Sequence, residues 1–299
     1  MKKKPIVLVH LLFVLLILLV ALPGKRENAS PVLFLCAAAA VEAAGIVQIA
    51  AGRRARAAGD IGAVLMALLC AWELCTTVLD IGHPILLPTP EAVFSVFAQQ
   101  WRLMLRGVAS SLSLLGIGFA VALPGGALRG MLAGWNGRLR GALVPMARGL
   151  APIPAIIYAP YLIALMPTFR SASVLVLVLG IFWPTFLQTV GRTAAIDPHV
   201  LDSARALCLT GWETVLQIYL PALLPGLISG LRVRLSTSFM LLTLAEMMGA
   251  DSGLGYFIKN FADYANYTNV LAGILLVGVV ITLLNALVNL LERKLILWK

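Results

Sequence analysis

Residues 268 to 291 read TNVLAGILLVGVVITLLNALVNLL, an apolar run without a charged side chain. A helix that crosses the roughly 30 Å hydrocarbon core of a bilayer needs about 20 such residues. The composition of the whole chain agrees, because 61% of its 299 residues are hydrophobic and only 12% are charged. Soluble globular chains average close to half apolar and a quarter charged. The sequence therefore predicts an all-α integral membrane protein, a polytopic helical bundle.

Runs of this kind predict about eight transmembrane helices. They lie at 5–23, 31–51, 60–79, 104–125, 142–165, 172–191, 226–248 and 268–291. The first run has an alternative interpretation as a signal peptide, because Lys2, Lys3 and Lys4 precede it. Against that interpretation, its apolar part is longer than a usual signal core, and Ala21-Leu22-Pro23 is a poor cleavage site.

The basic residues predict the orientation of the helices. The chain has 23 Lys and Arg against 13 Asp and Glu, and membrane proteins gather such an excess in cytoplasmic loops rather than on a nucleic-acid-binding face. With a cytoplasmic N-terminus, 17 of the 23 basic residues fall in inner segments, Arg192, Arg232 and Arg234 among them, and 6 fall in outer ones. We therefore expect both termini in the cytoplasm.

Metal, disulfide and catalytic sites have little support in the sequence. The four cysteines form no CxxC pair, and the histidines are scattered over three regions without ligand spacing. No GxxxxGK[ST] phosphate loop occurs, so we expect the chain neither to bind nor to hydrolyse ATP. A covalent catalyst and a resident cofactor are both unexpected.

Residues 84–101, PILLPTPEAVFSVFAQQW, predict a short amphipathic helix outside the spans. Prolines open the segment, and Val93, Phe94, Val96, Phe97 and Trp101 follow on the helix. We expect the helix to lie along the outer membrane surface with these side chains available to an interface.

The loop at 197–225 is a long polar-enriched segment that the charge pattern places in the cytoplasm. Its central part, residues 202–221, reads DSARALCLTGWETVLQIYLP. We predict a short helix from Asp202 to Leu209, a turn near Thr210-Gly211, and a second helix that stops at Pro221. The apolar side chains of the first helix suit a groove on another protein.

This loop resembles the cytoplasmic "EAA" loop of the permease subunits of bacterial ABC importers. Asp202 replaces the usual Glu, Ser203 the first Ala and Cys208 the Gly of the motif, so we expect Gly211 to supply the flexibility. In that family the loop forms the coupling helix that docks on the ATPase. The resemblance implies a coupling role for Asp202, Ser203, Ala204, Arg205, Leu207, Cys208, Gly211 and Pro221.

The resemblance covers residues 72–299 and indicates the branch that handles nitrate, sulfonates and taurine. It rests on the order and spacing of several pieces, among them Trp72-Glu73-Leu74, Pro152-Ile153-Pro154, Ala245-Glu246-Met247-Met248-Gly249-Ala250 and Ser252-Gly253-Leu254-Gly255. The core of this family has six spans, which implies an N-terminal extension at 1–58 with two extra helices and an importer domain at 59–299. The resemblance also implies a bacterial inner-membrane homodimer, two copies of a separate ATPase that binds the ATP, and an extracytoplasmic binding protein.

Polar and helix-breaking residues within the spans are candidates for the solute path. The candidates are Ser110, Ser111, Pro152, Pro154, Ser236, Thr237 and Glu246. An alternative is that the hydroxyl groups serve helix packing and that Glu246 orders the loop that follows it. Gly126, Gly130 and Gly134 recur at every fourth position, which predicts close approach of a neighbouring helix.

A secondary transporter or channel is the alternative function, and a membrane enzyme is a third. The absence of a detectable inverted repeat and the motif-like inner loop argue against the secondary transporter. An enzyme lacks paired catalytic groups within the spans. We therefore expect an importer permease that works by alternating access.

Overall fold

A computed structural model of the chain describes residues 4–26, 29–50 and 55–295, and these residues are mostly helical without a β-strand. The all-α prediction is confirmed. Lys2, Lys3, Arg53, Arg54 and Lys299, which entered the topology prediction, lie outside the described residues. The chain forms two compact units, one of Met1–Met104 with Ile258–Leu275 and the other of Leu105–Phe257 with Leu276–Lys299.

The first unit begins with four helices, which are α1 (Lys4–Ala21), α2 (Val32–Ala50), α3 (Ala55–Glu73) and α4 (Pro90–Gln99). A π-helical turn at Leu74–Val78 extends α3. The start of α4 is well specified, because the Thr89 hydroxyl accepts a hydrogen bond from the Ala92 N–H and Pro90 occupies the first turn.

The core of the first unit joins the N-terminal helices to α3 and α4. Leu16, Phe34 and Met66 are fully buried, and the ring centroids of Phe34 and Phe94 are 5.4 Å apart. Val93 and Val96 are also buried, because α2 packs against α4. The expectation that these two valines are available to an interface is therefore wrong. The predicted domain boundary at 58/59 lies inside this compact unit.

The remaining helices are α5 (Trp101–Trp135), α6 (Gly137–Leu150), α7 (Ala159–Leu165), α8 (Phe169–Ala194), α9 (Pro198–Ala206), α10 (Gly211–Thr214), α11 (Leu220–Gly249), α12 (Leu254–Asp263) and α13 (Tyr267–Leu295). The start of α8 carries a reciprocal capping box between Thr168 and Ser171. Leu177, Phe239, Leu242 and Leu254 belong to the buried core of the second unit.

Five helical stretches in the described residues are long and apolar enough to cross a membrane: Gly59–Val78, Trp101–Trp135, Phe169–Ala194, Gly211–Gly249 and Tyr267–Lys294. The pair Gly137–Leu150 and Ala155–Leu165 bends by 79° and counts as a sixth span if it is taken as one. Shorter apolar helices at Val7–Ala21 and Val32–Gln48 occupy the first two predicted runs. Every predicted run therefore contains an apolar helix.

The glycines of α5 pack against α8, as their spacing predicted. A methyl group on Gly130 would lie 2.7 Å from the Phe186 carbonyl oxygen and 2.8 Å from Cβ of Thr189. Gly126 and Gly134 face the same helix one turn away on either side. The two backbones come so close that side chains larger than hydrogen have no room at these positions.

Candidate functional site

The inner loop contains a capped helix, α9, that begins earlier than predicted. Asp197 is the N-cap, and its carboxylate accepts a hydrogen bond from the His199 N–H at 2.9 Å. Pro198 follows in the first turn, where its missing N–H costs nothing. The helix therefore starts at Pro198 and not at Asp202, and it ends at Ala206.

A tight turn at Cys208 closes α9. Cys208 has a φ of +53°, the left-handed conformation that glycine adopts most readily. The Leu209 N–H donates to the Ala204 carbonyl at 3.1 Å and the Cys208 N–H to the Arg205 carbonyl at 3.0 Å, which are the two bonds of a Schellman motif. The turn is thus made by Cys208 itself. The expectation that Gly211 supplies it is wrong, because Gly211 is the first residue of α10.

The two faces of α9 differ in exposure. Ala204 is buried, and Leu201 packs with Met131 and Tyr219 in the core of the second unit. On the other side Arg205 and Asp202 form an exposed ion pair at 2.8 Å. Leu207, just after the helix, is 73% exposed. Of the predicted coupling residues on α9, Ala204 is buried, whereas Asp202, Ser203 and Arg205 are exposed.

Pro221 does not end a helix. The segment from Gly211 to Gly249 is one continuous helical stretch of 39 residues. A π-helical turn at Val215–Tyr219 precedes Pro221, and the Leu220 N–H donates to the Val215 carbonyl across it. Such a wide turn leaves room for a proline ring that would clash with the carbonyl four residues earlier in a regular α-helix. The predicted stop at Pro221 is therefore wrong.

A cavity of about 540 Å³ lies beside α9, entirely within the second unit. Leu201 and Ala204 of α9 line it, together with Arg140, Thr193 and Tyr219. The Arg140 guanidinium donates to the Gly134 carbonyl at the end of α5. The inner face of α9 is therefore partly in contact with open space, and displacing the helix toward this cavity does not require a filled core to be compressed.

Glu246 is held in a pocket of hydrogen-bond donors near the end of α11. Its side chain is buried, Oε1 accepts from the Ser111 hydroxyl at 2.7 Å, and Oε2 accepts from the Gly255 N–H at 2.8 Å. The Ser111 hydroxyl in turn accepts from the Leu254 N–H at 2.9 Å. Gly253, with a φ of +125°, lies directly against the carboxylate, where a Cβ would have no room. The arrangement ties the loop after α11 to α5 and α11.

The other hydroxyl candidates form hydrogen bonds that do not involve Ser111 or Glu246. Ser110 lies 2.9 Å from the hydroxyl of Ser252. Ser236 accepts from the Asn285 side chain at 3.1 Å. Thr237 donates to carbonyl oxygens of its own helix. The structure thus joins Ser111 to Glu246 and does not join Ser236 or Thr237 to them.

Pro152 and Pro154 lie in the break between α6 and the helical segment that starts at Ala155. Both are exposed, and the Ile153 N–H between them donates to the Leu150 carbonyl at 3.1 Å. The predicted span is bent by 79° at this point, where the two prolines cannot donate backbone hydrogen bonds.

Two groups of buried charged residues were not predicted as sites. Arg234 is only 8% exposed and lies within α11, inside the apolar run 226–248. Glu73 and Glu91 are fully buried in the first unit. A charged residue within a hydrophobic run was the available signal for Arg234 and Glu73.

Residues 126–297, more than half of the chain, match the profile of a protein family. That family is described as the binding-protein-dependent transport system inner membrane component. This chain belongs to that family. It is accordingly a transport permease of the inner membrane and not an enzyme. The sequence-based assignment to ABC importer permeases is thereby confirmed.

Relatives support the branch to which the permease was assigned. It is 30% identical over 244 residues to the aliphatic sulfonates transport permease protein SsuC of Bacillus subtilis, a match that covers 80% of this chain and 87% of that protein. It is 24% identical over 250 residues to the taurine transport system permease protein TauC of Escherichia coli, covering 80% and 89% of the two chains.

A solved structure supports the fold of the permease. A chain of the MetNI methionine ABC transporter in an inward-facing conformation aligns with a TM-score of 0.57 at 21% identity. The alignment covers 66% of the present chain and 97% of that chain. At this identity the likeness concerns the fold alone.

Proposed function

We propose that the permease takes a small solute, such as a sulfonate, taurine or nitrate, from an extracytoplasmic binding protein. Two copies of the chain form the path through the inner membrane, with both termini in the cytoplasm. Two copies of a separate ATPase bind the ATP and dock on the loop at 197–225. The permease itself carries no cofactor and no metal.

The observation that carries this proposal is the construction of α9. Its N-terminus is capped by Asp197, and its C-terminus is closed by the Schellman turn at Cys208. A helix of nine residues is marginal by itself, so these contacts define its ends and its packed face fixes its orientation. The side that remains exposed presents Leu207 next to Arg205, an apolar group with a charged rim that suits a groove.

The packing of α9 allows a displacement of this helix to be transmitted to the membrane-spanning helices. Leu201 packs in a cluster with Met131 of α5, Val215 and Tyr219 of the π turn, and Leu223 of α11. The continuous helix then extends from this cluster to Gly249. A force on α9 therefore acts on α5 and α11 through direct contacts, which is the mechanical link that alternating access requires.

We divide the path candidates into three groups. Ser111 and Glu246 order the loop that follows α11, because protein donors already satisfy the carboxylate. Pro152 and Pro154 provide the break at which α6 and the next helix can change their angle. Ser110, Ser236 and Thr237 are the hydroxyl groups left as candidates for contact with solute.

Copurification of the permease with an ABC ATPase from its own cells tests the proposal. The wild-type permease should retain the ATPase through affinity capture in mild detergent. Leu207→Glu should abolish capture, because it places a carboxylate in an apolar contact. Leu139→Glu is the matched control, since Leu139 is an exposed leucine outside the loop, and it should leave capture intact.

Ala204 is unsuitable for this experiment. Its side chain is buried in the permease itself, so a large charged residue there disturbs the fold as well as any docking. If Leu207→Glu retained the ATPase as well as the Leu139→Glu control does, α9 would not be the docking helix. If the wild-type permease captured no ATPase at all, the importer assignment would fail.

A further inference from the structure

Arg234 is a buried guanidinium inside a membrane-spanning helix. Its side chain donates to the Gln188 amide oxygen on α8 and to the Leu227 carbonyl at 3.3 Å. Both acceptors are neutral, so the positive charge has hydrogen bonds but no counter-ion from them. A charged side chain at membrane depth is costly and is kept where it serves a substrate or ion pathway.

A second guanidinium lies beside the first. Arg192 follows Gln188 by one turn on α8, and its guanidinium packs directly against Gly226 of α11. The Arg234 guanidinium faces Gly230, one turn further along, where a Cβ would lie 2.8 Å from Nη1. The two guanidinium groups therefore lie against neighbouring turns of the same helix. The small residues at 226 and 230 thus give both cations room along one face of α11.

The two cations lack an acidic partner in the part of the chain that the structure describes. Among these residues no carboxylate forms an ion pair with Arg192 or Arg234. Arg232, two positions before Arg234, differs in this respect, because its guanidinium lies 3.2 Å from Glu292. Two neighbouring like charges repel unless an anion lies between them or beside them.

We propose that Arg192 and Arg234 form a binding subsite for the anionic group of the transported solute. The inference deepens the proposed function and rests on it, since it identifies the cargo as a small oxyanion such as a sulfonate or nitrate. A guanidinium presents a planar fork of donors that matches the oxygens of such groups. Gln188 fixes the orientation of Arg234, which the anion meets first, and Arg192, nearer the end of α8 and more exposed, contacts it next.

The position of the pair fits a late step of transport. Arg192 lies two residues before the end of α8, at the end of that helix from which α9 follows. In the proposed topology this end faces the cytoplasm. An anion that leaves the binding protein would therefore reach the two arginines after it has crossed most of the path, and their positive charge would favour its entry into the inner half.

Ligand binding to the permease with its ATPase, in nanodiscs of phosphatidylcholine, tests the subsite. The probes are ethanesulfonate and nitrate, with ethyl methyl sulfone as the neutral control and chloride at matched ionic strength. We expect the two oxyanions, and neither control, to raise the unfolding temperature in a saturable manner. Arg192→Gln should raise the half-saturating concentration about tenfold, the effect of losing one charged hydrogen bond.

Two further variants keep the test independent of folding defects. Gly226→Ala should also weaken oxyanion binding, because the new methyl group displaces the flexible end of Arg192 without removing its charge. Arg232→Gln should leave binding unchanged, because that arginine is already paired with Glu292. Equal binding by the wild type, Arg192→Gln and Gly226→Ala would overturn the proposal.

An anionic lipid headgroup offers the same chemistry, and a second set of nanodiscs distinguishes it. If phosphatidylglycerol stabilised the wild type over Arg192→Gln while neither oxyanion did, the assignment to solute would be overturned. Capture of the ATPase is measured on the same preparations. Intact capture without oxyanion binding would refute only the subsite, whereas absence of capture would refute the proposed function.

Discussion

Removing the Ser111 hydroxyl should destabilise the permease by about 2–4 kcal/mol. Ser111 is 1% exposed, and its oxygen donates to Glu246 at 2.7 Å and accepts from the Leu254 N–H at 2.9 Å. In Ser111→Ala both partners stay buried and each loses a hydrogen bond, at about 1–3 kcal/mol for an unsatisfied group. Glu246 keeps its bond from Gly255, which prevents a larger loss.

The assay is reversible unfolding of the purified permease in mixed micelles with increasing denaturing detergent. Ser113→Ala is the control, because Ser113 is an exposed serine on the same helix. Glu246→Gln completes a double-mutant cycle with Ser111→Ala, and the two changes should be strongly non-additive since the side chains share one hydrogen bond. A loss in Ser111→Ala no larger than in Ser113→Ala, or strict additivity, would show that the Ser111 hydroxyl does not hold Glu246 and the following loop together.

Three further outcomes are expected. Gly130→Ala should lower the free energy of unfolding by about 1–3 kcal/mol, because the new methyl group overpacks the contact with α8. Gly141→Ala is the control and should not lower it, because no atom lies within 4 Å of the new methyl group. Cys208→Gly should raise the free energy of unfolding by roughly 1 kcal/mol, because glycine adopts the left-handed backbone conformation at this position without strain. Unfolding measurements check the predictions for residues 130 and 208. In intact cells an impermeant thiol reagent should label Leu86→Cys and not Asn136→Cys, both being exposed positions; the opposite labelling would reverse the proposed orientation.

The positions of the helices were largely predictable because hydropathy measures the free energy of transfer from water to lipid. The run at 268–291 therefore became α13, and the glycines from Gly126 to Gly134 marked a close helix contact. Hydropathy does not show which neighbour a residue faces. Val93 and Val96 were expected at an interface, and the fold buries them inside their own unit.

The sequence signals for helix starts and ends were ambiguous in the inner loop. Proline is compatible with the first turn of a helix, with a break and with a wide turn, so the sequence did not separate Pro198, which starts α9, from Pro221, which a helix runs through. Asp197 before Pro198 was a readable N-cap signal that the prediction missed. The inward orientation of Ala204 and the meeting of Arg192 with Arg234 depend on packing between helices distant in sequence, which periodicity alone does not report.

Site-specific photocrosslinking detects the proposed contact between α9 and the ATPase in the assembled complex. A benzophenone amino acid in place of Leu207 is activated in the assembled complex, with the same substitution at Leu139 as the control. We expect a covalent adduct between the permease and the ATPase from position 207 and none from position 139. An intact complex that gives no adduct from position 207, or an equal yield from both positions, would show that α9 does not dock on the ATPase.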